Sequence, residues 1–191
     1  SITLRPSESG SIAIGASVNH NVDDRQWVTS LDTDQRHYLL GRIEQMTVGL
    51  TARAEYSFTP TLSLQFYAQP FVSAGQYTEF KRVSDPLADS YVDRLELLSV
   101  TPDGGRYYSD VDGNGSLESF RDPDFNFKQF KSNLVLSWEY LPGSRLLAVW
   151  SQGRNHFSSD GTFDYVEDIT EIFSGASDNI FMVKLSYWMG R

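Results

Sequence analysis

Met46-Thr47-Val48-Gly49-Leu50-Thr51-Ala52-Arg53-Ala54-Glu55-Tyr56-Ser57-Phe58 alternates without interruption. The even positions (Met46, Val48, Leu50, Ala52, Ala54, Tyr56, Phe58) are all apolar. The odd positions (Thr47, Gly49, Thr51, Arg53, Glu55, Ser57) are small or polar. Successive side chains of an extended strand point to opposite faces, whereas a helix would scatter this apolar set around its circumference. The stretch is therefore a strand with one apolar and one polar face.

The same period recurs along the chain. Ile12, Ile14, Ala16 and Val18 alternate with Ala13, Gly15, Ser17 and Asn19. Leu62, Leu64, Phe66 and Ala68 alternate with Ser63, Gln65, Tyr67 and Gln69. Leu134, Leu136, Trp138 and Tyr140 form another such row, and Phe181, Val183, Leu185 and Tyr187 a last one. The Arg145–Ser151 run is too uniformly apolar for alternation to decide its facing. Pro70 interrupts a good strand pattern, and because proline donates no ladder hydrogen bond, a bulge is expected there, with the facing shifting to Phe71.

Alternation alone also fits the half-buried strands of a soluble sandwich. Three features favour a membrane sheet instead. Short turns at Pro6–Gly10, Thr59–Thr61 and Leu141–Ser144 take turns with a tip near Asp32–Gln35 and long polar connections near 84–124 and 157–178. Up-and-down barrels of the outer membrane connect their strands this way. Aromatics flank the short turns: Tyr56 and Phe58, Trp138 and Tyr140, and Tyr187 and Trp188 near the C-terminus. The runs Arg36–Phe58 and Thr61–Val83 are each long enough to cross a bilayer and continue beyond it.

Composition narrows the classes further. The hydrophobic share is 40% and mean hydropathy is -0.36. No run approaches the roughly 18–20 apolar residues of a membrane helix, which excludes helical spans but not a barrel, whose lumen-facing residues dilute hydropathy. The aromatic share of 14% suits interfacial girdles. A formal net charge of -9 with no basic patch argues against nucleic acid as a partner. Zero cysteine excludes disulfides, thiol nucleophiles and zinc-thiolate sites.

A terminal piece at Ile2–Arg5 and the long strands after it total about seven strands. Such a sheet leaves two open edges, and lipid offers no water to satisfy them. The expected fold is therefore all-β, an antiparallel up-and-down transmembrane β-barrel. Residues 1–191 would be its C-terminal portion, with the remaining strands supplied by the same protein or by another chain. The opening Ser1-Ile2-Thr3-Leu4-Arg5 already alternates and reads as a start in mid-protein, with an export signal upstream or removed.

Four segments carry a family resemblance: Gly41–Pro60, Leu62–Gly75, Asp124–Arg154 and Asp178–Trp188. Together they resemble the C-terminal region of a family of large bacterial proteins of unknown function. Its members pair an N-terminal carbohydrate-binding module, similar to a xylan-binding family, with a C-terminal outer-membrane-type barrel. The resemblance implies a missing sugar-binding part and transfers no catalytic residue. The closing Trp188-Met189-Gly190-Arg191 departs from a typical barrel end, which is aromatic.

Candidate chemistry is sparse. Asp110, Asp112 and Asn114, followed by Gly115, resemble the start of a calcium loop, where oxygens at positions one, three and five converge on a hard cation. Ser116 and Glu118 could add ligands, but position twelve is Arg121 where a glutamate is needed. A solvated acidic turn is the plainer reading. His20, His37 and His156 lie far apart, and no serine has a nucleophile context. Arg53, Glu55, Lys131, Glu139 and Lys184 fall on polar faces and would face a lumen, as channel lining or plug contacts, or more plainly as ion pairs filling the interior.

The expected function is thus an outer-membrane barrel that anchors or serves surface glycan binding or uptake, at the bacterial outer membrane and with its lipid bilayer as partner. The glycan part follows from the resemblance alone. Alternatives are a barrel acting as scaffold or conduit for a protein partner, and a soluble sugar-binding sandwich whose apolar rows pack on each other. An enzyme is the least supported class.

Overall fold

The computed structural model describes residues 1–189; Gly190 and Arg191, part of the unusual C-terminal ending, lie outside them. The long strands are β1 (Ile2–Ser7), β2 (Gly10–Asp32), β3 (Arg36–Thr59) and β4 (Leu62–Val83). After a one-turn 3-10 helix come the short strands β5 (Leu95–Leu97), β6 (Thr101–Asp103), β7 (Arg106–Ser109) and β8 (Glu118–Arg121). Then follow β9 (Phe125–Leu141), β10 (Ser144–Ser158), a helix α1 (Tyr165–Ser174) and β11 (Asp178–Ser186).

The long strands form one antiparallel sheet in the order β1-β2-β3-β4-β9-β10-β11, with β5 added to β4. Strands β6–β8 form a separate three-stranded sheet. The seven-strand meander agrees with the expected count. Among the described residues β1 and β11 do not pair with each other, so the sheet is open. No helix of the described residues is long and apolar enough to cross a membrane.

Ladder register turns the alternation of single strands into two continuous faces, since side chains of paired residues share a side. One row reads Leu4, Ile12, Ala54, Phe66, Leu134, Trp150 and Phe181 across all seven strands. A neighbouring row reads Tyr56, Leu64, Leu136, Ala148 and Val183. The register also assigns the ambiguous run: Leu146, Ala148 and Trp150 join the apolar face, and Leu147, Val149 and Ser151 the other. The apolar face narrows toward β11, where the row beginning Ile2, Ile14, Ala52 and Ala68 continues as Ser132, Gln152 and Asn179.

Pro70 does not shift the register. Its pair Phe130 falls within an unbroken β4–β9 ladder, and the β3 ladder resumes in the same register after Gly49↔Phe71 at Ala52↔Ala68. The proline's missing donor is absorbed by a local gap on the β3 side, with no extra residue and no change of facing.

The short turns and the C-terminal segment share one end of the sheet. There Tyr56, Phe58, Trp138, Tyr187 and Trp188 stand exposed. Trp188 N–H donates to Ser144 Oγ at 2.9 Å, and the Tyr140 hydroxyl donates to Ser186 O at 3.1 Å. Gly143 makes this turn at φ 76°, and a Cβ there would lie 3.0 Å from the Cβ of Trp188. Only glycine meets both the left-handed backbone and the close approach.

The two long connections carry short strands and a helix of their own. Asp164 caps α1 by accepting from the Val166 and Glu167 amides. The helix lies on the apolar-side face at the long-loop end, with Phe173 packed on Phe130 at 4.9 Å between ring centroids. Strands β6–β8 cover the opposite face at that end, through a core of Leu39, Phe80, Leu98, Val111 and Phe120.

Gly143→Val is expected to destabilise the protein by roughly 1–3 kcal/mol, from the left-handed φ and the Trp188 contact. Denaturant unfolding followed by tryptophan fluorescence measures this, and an unchanged midpoint would show that the turn relaxes freely.

Candidate functional site

Two groups of side chains come into question: the charges of the polar face, and the acidic loop between β7 and β8. Arg53, Glu55, Lys131, Glu139 and Lys184 all share the polar face of the sheet, as their alternation requires. They do not neutralise one another. Among the described residues none of the five takes part in a salt bridge. Arg53 instead lies over the Tyr67 ring, 5.3 Å from its centroid, and Glu139 accepts the Gly143 amide at 3.0 Å. In this open sheet nothing sits opposite these strands to place counter-charges within reach.

Neutral hydrogen-bonding groups surround them. Gln45 and Thr47 both bond the Ser73 hydroxyl, at 3.0 and 2.8 Å, and the Ser151 hydroxyl donates to Asn133 at 2.6 Å. Two clefts open beside the short turns. One is lined by Arg5, Glu8, Glu55 and serines 7, 9, 11 and 57, and the other by Glu139, Arg145 and Lys184.

In the acidic loop the structure brings Glu118 beside the two expected aspartates. Asp110, Asp112 and Glu118 each offer one carboxylate oxygen, and these lie within 4.8 Å of one another. The side-chain oxygen of Asn114 accepts the Ser116 amide at 2.7 Å, and its side-chain amide donates to Asp112 at 2.9 Å. Glu118, on β8, is brought in by strand pairing with Ser109. Asp110 accepts from the Gly113 and Gly115 amides, both glycines having positive φ, so much of its hydrogen-bonding capacity is used in shaping the turn. Three clustered carboxylates suit a hard divalent cation such as calcium.

The three histidines do not converge. His20 meets Glu44, His37 meets Asp34, and His156 lies 3.8 Å from Glu171. A cluster that sequence reading missed lies under α1. Lys128, on β9, contacts Asp168 at 2.9 Å and also pairs with Glu171, and Lys128 and Asp168 are both buried. Asn126 donates to Asp168 and to the Thr162 carbonyl. The capping signature Asp164-x-x-Glu167 is the sequence signal that could have announced the helix. Its pairing with Lys128, some 40 positions earlier, has no sequence signal.

Asp124, where β9 begins, ties the two connections together. It accepts the Tyr77 amide at 2.7 Å, and Gly161 approaches its other oxygen. Burial pushes its carboxyl up to about 6, aided by the charges of Asp122 and Asp160 and opposed by the Tyr77 amide.

The fold and these groups define an all-β protein built on one open, two-faced antiparallel sheet. The family described as a domain of unknown function, DUF5916, matches residues 1–190, and the chain belongs to it. No curated protein and no solved structure matches the chain.

Two outcomes are expected. Millimolar calcium should raise the melting temperature of the wild type and leave Asp110→Asn unchanged; equal melting temperatures with and without calcium in the wild type would reject the site. A carboxyl whose folded pKa is raised holds its proton better when folded, so the stability this group contributes is fully present below about pH 4 and is lost as pH rises through about 6. Asp124→Asn should therefore stabilise the protein at pH 7, by roughly 1 kcal/mol after allowing for solvent screening, and flatten its stability between those pH values. A destabilised variant at pH 7 would show that the ionised carboxylate is needed.

Proposed function

We propose that this chain is part of an outer-membrane β-barrel that anchors or serves surface glycan binding or uptake. The observation that carries the membrane part is the exposed apolar face. Within the row that crosses all seven strands, Leu4 is 59%, Ile12 42%, Phe66 39% and Phe181 75% exposed. A water-soluble sandwich would bury such a row under a second sheet.

The dimensions are compatible with a bilayer. On β3 the face runs from Met46 to Phe58. At about 3.4 Å per residue and a tilt of ~45°, that is roughly 29 Å along a membrane normal, close to the ~25–30 Å of an apolar band. The exposed aromatics at the short-turn end fit an interfacial girdle. The free edges of β1 and β11 would pair with further strands, because unpaired backbone groups are costly in lipid. The polar face, with its unpaired charges, would then line the interior. The glycan role has narrower support, the resemblance of the Gly41–Trp188 segments to proteins that carry a carbohydrate-binding module.

Phe66 and Gln65 are adjacent and face opposite ways. In a barrel, Phe66→Arg should cost ~2–4 kcal/mol at the membrane midplane and deplete the assembled protein from outer membranes, while Gln65→Arg is tolerated. Fractionation and heat-modifiable migration on gels measure both. Equal tolerance of the two, with the protein in the soluble fraction, would sink the proposal.

A further inference from the structure

We infer that the 84–124 insertion is a cap folded inward over one mouth of the barrel, so that it controls what reaches the polar interior. The inference rests on the proposed reading of the polar face as the lumen side.

The support is a change of character along one face. On β3 the polar side runs Glu55, Arg53, Thr51, Gly49, Thr47 and Gln45, then turns apolar at Ile43, Gly41 and Leu39. Apart from Gly49, the first group is exposed or half-buried; Gly41 is buried, Leu39 is 0% exposed and Ile43 4%. What buries Leu39 is the insertion: Leu98, Val111 and Phe120 pack on it and on Phe80, and the Tyr107 ring lies 4.7 Å from that of Phe80 and is stacked on that of Phe120 at 5.6 Å. A Cβ on Gly41 would meet Tyr77, Val28 and Phe80 at 3.1 to 3.4 Å, so the β3 backbone itself is part of the seat.

The β4 strand is irregular in a way that serves this seat. Arg42 pairs with Thr78, but Leu40 pairs with Lys81, so Glu79 is an extra residue. Glu79 is also the one non-glycine with positive φ among the described residues, at 48°. Without the bulge, Phe80 would face the side of Thr78 and Lys81 would take its place. With it, Phe80 joins Tyr77 on the polar side and becomes 2% exposed, while Lys81 faces away. Bulges re-aim side chains in this manner. Arg82 fastens the cap further, pairing with Glu96 at 2.7 Å and donating to the Val111 carbonyl. An insertion merely trailing in solvent would need neither a re-aimed phenylalanine nor Ile43 and Leu39 on the side of β3 that is polar from Glu55 to Gln45.

The chain has no cysteine, so single cysteines report access cleanly. In the intact protein in its membrane, Arg53→Cys lies below the cap on the polar face, and Met46→Cys on the apolar face. Each is treated with a small and a bulky membrane-impermeant maleimide added on the long-loop side. The expected result is that Arg53→Cys reacts with the small reagent at least about tenfold faster than with the bulky one, and that excising residues 101–121 removes the difference. Phe120→Ala, which leaves the strands intact, should diminish it in the same direction. Equal access of both reagents to Arg53→Cys in the uncut protein, or a difference that survives both changes, overturns the cap. Rapid labelling of Met46→Cys by either reagent means that this face is in water; the lumen reading then fails, and the cap with it.

Discussion

Backbone hydrogen bonding in one continuous register is the constraint on which this structure depends. In an antiparallel ladder a slip of one residue sends every side chain of a strand to the other face. The shifts at Leu4/Ser7, Ser57/Thr59 and Ser144/Arg145 lie beside the short turns; between them and the long-loop end the ladders from β1 to β11 keep one register, and apolar residues of seven strands therefore align in single rows. Pro70 tests the point, because the ladder runs past it without a bulge. Phe66 and Leu64 on one side of it, and Val72 on the other, thus stay on one face. The register that aligns the apolar rows also gathers Arg53, Glu55, Lys131, Glu139 and Lys184 on the opposite face.

At the long-loop end the same constraint is deliberately relaxed. The β2–β3 ladder shifts between Asp23 and Gln26 and again between Trp27 and Thr29, and β4 bulges at Glu79. These irregularities lie where the strands stop being two-faced in the simple sense and acquire a seat for β6–β8. The backbone strain of a left-handed glutamate is offset by the burial of Phe80 in an apolar core cluster. The other connection is held differently. Helix α1 sits on the apolar side through a buried lysine–carboxylate contact as well as through Ile172 and the Phe130–Phe173 pair. Such a contact adds little net stability, but breaking it by removing one partner leaves a buried charge and costs ~3–5 kcal/mol. It fixes the place of the helix more than it strengthens the fold.

Much of this was legible in the residues. Period-two patterning located the long strands to within a few positions, because side-chain alternation is a local consequence of extended backbone. Turn lengths predicted the meander order, since neighbouring antiparallel strands need only tight connections. The shared facing of the five polar-face charges followed from counting parity. The interior of the 84–124 connection was not legible: strands of three or four residues are too short to show a period, and their apolar residues meet partners far away in sequence. The candidate cation loop was half legible. Asp110, Asp112 and Glu118 were all visible in the motif, whereas the approach of Glu118 to the two aspartates is set by the pairing of β8 with β7.

Local chemistry alone determined the strands, the short turns and the presence of two unlike faces, because each depends only on neighbours along the chain. Tertiary structure decided the rest: the assignment of Leu146, Ala148 and Trp150 to the apolar face, the re-aiming of Phe80 by Glu79, and the docking of α1 by Lys128. Each of these is set by register or by contacts between segments distant in sequence, and the burial that rewards them exists only once those segments have met.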